Sequence, residues 1–60
     1  MNIDNIIDRI GYLKEKAEEH LESLQIKNEC PRYQSMLQGN INAYEMALHI
    51  IFEELEDLND

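Results

Sequence analysis

His20, Cys30 and His49 are the side chains with the most chemistry to offer, and they stand among thirteen carboxylates. Their spread does not match zinc fingers or zinc ribbons, which need closely spaced pairs of Cys and His. A di-iron carboxylate bundle wants Glu-x-x-His on inward-facing positions. Here Glu45 precedes His49 by four residues, and Glu53 follows at the same interval. That spacing sets all three on one helical face, where they read as a solvated ladder. No metal and no cofactor is expected.

Nucleophilic chemistry is equally poorly supplied. Cys30 stands just before Pro31, where the dipole of a following helix would favour a thiolate. No histidine lies near it in sequence, and Ser23 and Ser35 carry no motif. No glycine-rich phosphate loop is present. Carboxylates on open helix surfaces stay ionised and move no protons, and two helices alone build no concave pocket. The expectation is a non-enzymatic protein with no catalytic residues.

The charge balance narrows the partners. Five Lys and Arg against thirteen Asp and Glu give a formal charge of −8. A nucleic-acid site needs a basic stripe, and Arg9, Lys14, Lys16, Lys27 and Arg32 are interleaved with acids. Anionic membrane surfaces are disfavoured for the same reason. A basic protein patch is the partner that fits, although such a charge also simply keeps a small oligomer soluble. Met1 leads directly into a polar run without a signal-peptide pattern, and no apolar run approaches the ~20 residues of a membrane span. The expected location is the cytoplasm.

The elements that position these groups follow from periodicity. Ile3, Ile6, Ile7, Ile10, Leu13, Ala17, Leu21 and Leu24 recur in steps of three and four, the mark of one helical face. They fill an arc of about 120°. Asn2 or Asp4 can cap this helix, and His20 falls at the edge of its apolar arc. Arg9, Lys16 and Lys27 form a basic flank that would face acids of a neighbouring helix. Gly11 lies outside the arc and has no assigned role.

The pattern fails near Lys27. Asn28 tolerates a left-handed conformation, and Pro31 suits the first turn of a new helix. The spacing therefore predicts a helix over 3–27, a turn at 28–30 and a helix over 31–58, making residues 1–60 a single antiparallel helical hairpin. Gly39-Asn40 is a turn signal that would break the second helix, whereas the unbroken phase from Tyr33 through Leu37 and Ile41 to Tyr44 favours continuity.

The second helix has two apolar faces. Tyr33, Leu37, Ile41, Tyr44, Leu48, Ile51, Leu55 and Leu58 match the first helix. Met36, Ala43, Ala47 and Ile50 lie to one side, Phe52 to the other and Met46 on the back, widening the apolar arc to about 200°. One neighbour cannot cover that width. A chain of 60 residues also hides only about 60 % of its unfolded surface, and one cysteine allows no intrachain disulfide. The expected fold class is accordingly all-α, a two-helix hairpin that dimerises into a four-helix bundle. Met36, Ala43, Ala47, Ile50, Ile51 and Phe52 are the expected dimer interface.

The acids give a second candidate surface. In a hairpin, Asp4 and Asp8 come to the same end as Glu53, Glu54, Glu56, Asp57 and Asp60, forming an acidic pole for a larger protein with a basic patch. The favoured function is a homodimeric regulator or inhibitor of the size found in bacteria and phages. The alternatives are an assembly subunit of a larger complex and a nucleic-acid-binding hairpin dimer.

Overall fold

The computed structural model describes residues 2–59. Two helices account for nearly all of them, α1 (Ile3–Lys27) and α2 (Pro31–Asn59), packed against each other as a hairpin.

Each helix end has a local cause. The Asp4 N–H donates to the Asn2 side-chain oxygen at 3.0 Å, satisfying one of the donors that a helix start leaves free. At the other end Asn28 is left-handed, with φ 55°. Its N–H donates to the Gln25 carbonyl at 3.1 Å, and the Glu29 N–H donates to the Leu24 carbonyl at 3.0 Å. This is the Schellman arrangement, which closes carbonyls the helix would leave open. Cys30 is also left-handed, at φ 53°, which costs a side chain with a Cβ about 1 kcal/mol. Pro31 then opens α2, where no intrahelical donor is lost.

Gln34 ties the turn together. Its side-chain amide donates to the Glu29 carbonyl at 2.8 Å and to the Leu24 carbonyl at 3.4 Å. One side chain of α2 thus holds both the turn and the last turn of α1. The left-handed steps at Asn28 and Cys30 reverse the chain, and Gln34 keeps it reversed.

α2 runs unbroken through Gly39 and Asn40. Gly39 has helical φ, and a Cβ built there meets nothing within 4 Å. The continuous apolar stripe outweighs the turn preference of Gly-Asn, because Leu37, Ile41 and Tyr44 on either side of the pair pack in the core with α1.

The core consists of Ala17, Leu21 and Leu24 from α1 with Leu37 and Ile41 from α2, and Tyr44 packs on it. These residues all lie in the half of the hairpin nearer the turn. Further toward the chain ends Ile6, Ile7, Ile10, Leu48, Ile51 and Leu55 are half-buried. The matching stripes are less completely covered than their spacing implies. Leu13 remains 48 % exposed, and Ile3, Tyr33 and Leu58 are also on the surface. Two cylinders touch along a line, so only positions close to that line lose their water.

The result is long and thin. The radius of gyration is 14.3 Å, against about 10 Å for a compact domain of this length. The surface is 4913 Å², where a globular protein of 7.1 kDa would expose about 4,100 Å².

Candidate functional site

The ladder of acids around His49 is divided. The His49 Nε2 lies 2.9 Å from the Glu53 carboxylate, whereas Glu45 turns away to meet Lys14 of α1 at 3.6 Å. Among the described residues no group of three or more His, Cys, Asp and Glu gathers where it could hold a metal ion. His20 packs its ring edge-to-face on Tyr33, with centroids 5.1 Å apart, so the histidine at the edge of the arc helps to close the hairpin. Cys30 is an exposed free thiol in the turn.

The cations are used locally. Lys14, outside the basic flank, makes the cross-helix ion pair with Glu45. Lys16 pairs with Glu19 on its own helix at 3.4 Å and sits over the Tyr12 ring at 5.5 Å. Hydrogen bonding to Glu19, then that carboxylate's charge, raises the Lys16 pKa above its ordinary value. Among the described residues Arg9, Lys27 and Arg32 make no ion pair within the hairpin.

Surface depressions offer little shelter. Among the described residues one is lined by Asp8, Arg9, Tyr12 and Leu13 on α1, and another by Asn42, Glu45, Met46 and His49 on α2. Both are more open than enclosed, which gives a reacting bond little protection from water.

What stands out is apolar surface. Met36 is 50 % exposed and Ile50 51 %, and Ala43 between them is exposed too. Ala47 is half-buried. At about 100° per residue these four share one side of α2. Phe52, 49 % exposed, lies about 160° around the helix from Met36, on the flank that carries Glu45. Ile51 is half-buried and faces closer to α1. Of the six apolar residues singled out from sequence, Met36, Ala43, Ala47 and Ile50 thus form a continuous side, Ile51 turns toward α1 and Phe52 stands apart.

The acidic group is also brought together. Antiparallel packing sets Asp4 and Asp8 at the same end as Glu53, Glu54, Glu56 and Asp57, all exposed. Glu53 is partly engaged by His49. Asp60 lies outside the described residues. No helix among those residues is long and apolar enough to cross a membrane.

Fold and surface together define an antiparallel α-helical hairpin with an uncovered apolar side on its second helix. No known protein family, curated protein or solved structure matches this chain.

Proposed function

We propose that this chain is a non-enzymatic, protein-binding regulator or inhibitor that works as a homodimer, two hairpins pairing mainly through α2 to make a four-helix bundle. The observation that carries the proposal is the uncovered side of α2. The hairpin exposes about 800 Å² more than a compact protein of its mass. That is the area each partner contributes to an interface of standard size. A solvated single hairpin would leave Met36 and Ile50 in water along with a core of only a few side chains, a poor balance at this length.

With the apolar sides facing inward, the acidic poles remain outside. Asp4, Asp8, Glu53, Glu56 and Asp57 give a surface that a basic patch on a larger protein would approach quickly and leave as salt rises. The absence of shelter around His49 and Cys30 supports a binding role over a catalytic one.

The test compares capture by the native chain with capture by a variant carrying Glu53→Gln, Glu56→Gln and Asp57→Asn, which leaves Glu54 in place. A protein retained by the first at low salt, released by salt and lost with the second supports the reading. Equal capture by both removes the acidic pole from the function. An assembly subunit is the second reading, favoured by the same apolar side. A chain that stays monomeric and partly unfolded when purified alone would support it.

A further inference from the structure

We infer that the two copies pair α2 to α2 in an antiparallel register centred on Ala43, with Arg32 of each copy set against Glu54 of the other. This rests on the homodimer reading and adds the geometry of the contact.

A two-fold axis at Ala43 pairs residues whose numbers sum to 86. Gly39 then faces Ala47, and Met36 faces Ile50, on both sides of the axis. The two bulky side chains that the hairpin leaves half in water cover each other, while Gly39, Ala43 and Ala47 between them let the helices approach closely. Nothing inside the hairpin occupies the space beside Gly39, so a second helix has room to lie there. Shifting the register by seven residues either way destroys the match. One shift sets Met36 against Asp57, and the other carries Ile50 beyond the start of α2, opposite Glu29.

Charge selects the same arrangement. Arg32 is the one cation of α2 and makes no ion pair within the hairpin among the described residues. It lies on the Met36–Ile50 side, as does Glu54, and 32 and 54 also sum to 86. A parallel pairing would instead stack two acidic poles, each with Glu53, Glu54, Glu56 and Asp57, on chains of formal charge −8. The antiparallel pairing moves each acidic pole beside the other copy's Arg32 and the positive end of its α2 dipole.

Cross-linking reads the register directly. In a Cys30→Ser background, Ala43→Cys should oxidise to a covalent dimer, because closely packed helices bring facing Cα atoms within disulfide range. Met36→Cys and Ile50→Cys should not, since each would sit about 21 Å along the axis from its own copy. A parallel dimer would cross-link through all three. Charge reversal gives an independent reading in the native background. Arg32→Glu and Glu54→Arg should each weaken association about tenfold, and the double variant should restore it. Each single change favours its own helix end through the dipole, so weakened association would not come from fraying. Glu54→Arg also lowers the magnitude of the net charge, so weakening there runs against general repulsion. A dimer that neither cross-links through Ala43→Cys nor recovers in the double variant overturns the register and leaves the homodimer standing. A chain that is monomeric at tens of micromolar overturns both.

Discussion

Toward the turn, Ala17, Leu21, Leu24, Leu37 and Ile41 are buried, and Gln34 bonds two carbonyls across the connection. Toward the chain ends, Ile6, Ile10, Leu48, Ile51 and Leu55 are no more than half-buried, and the surface between them carries Glu53, Glu54, Glu56 and Asp57. The open end's apolar residues are at least as bulky as those toward the turn, which include Ala17. What differs is restraint: the turn, tied by Gln34, holds the helices together at one end, whereas the open end has no such tie among the described residues. One half of the hairpin is the better packed, and the other is short of a neighbour. In the antiparallel pairing each loose half lies beside the well-packed half of the other copy.

The sharpest way to break this contrast is in the core. Leu37 is 5 % exposed, and Leu37→Ala should lower stability by about 2–5 kcal/mol, enough to remove most helical circular dichroism from a chain this short. Leu55→Ala, at the open end, should lower it by less than half as much. Equal losses in chemical denaturation would erase the distinction between the halves.

Ile50→Asp attacks the uncovered side instead. It should remove about 1.5–3 kcal/mol of apolar burial per copy and add a charge, so dissociation and reduced helicity should appear together. Retained association in light scattering would show that Ile50 is not in the contact.

The turn offers two smaller changes of opposite sign. Gln34→Ala should destabilise by about 1 kcal/mol, since it frees two carbonyl partners. Cys30→Gly should stabilise by about 0.5–1 kcal/mol, because glycine occupies the left-handed region at no steric cost. Thermal unfolding measures both, and a stabilising Gln34→Ala would show that the clamp is incidental.

The hairpin was legible in the sequence because its causes are local. Steps of three and four mark each face, and Asn28 with Pro31 marks the reversal. The unbroken phase from Tyr33 to Tyr44 decides against a break at Gly39. Less legible was which stripe positions lose their water: Leu13 and Tyr33 are in phase with the core yet exposed, because burial depends on distance from the line of contact. The Gln34 clamp depends on a turn geometry that spacing does not encode. Lys14 lies at the margin of the apolar arc, and its reach to Glu45 depends on how the two helices are rotated. On α2, periodicity separated the Met36–Ile50 side from Phe52, and exposure of both is what makes the first a continuous candidate surface.

Sedimentation equilibrium of the native chain at micromolar concentration is the most direct measurement. A mass twice the 7.1 kDa of the chain, with helicity that falls as the protein is diluted into the dissociated range, is the result expected if a second copy covers α2. A fully helical monomer over that range would mean that the hairpin needs no partner and that its apolar side is simply solvated.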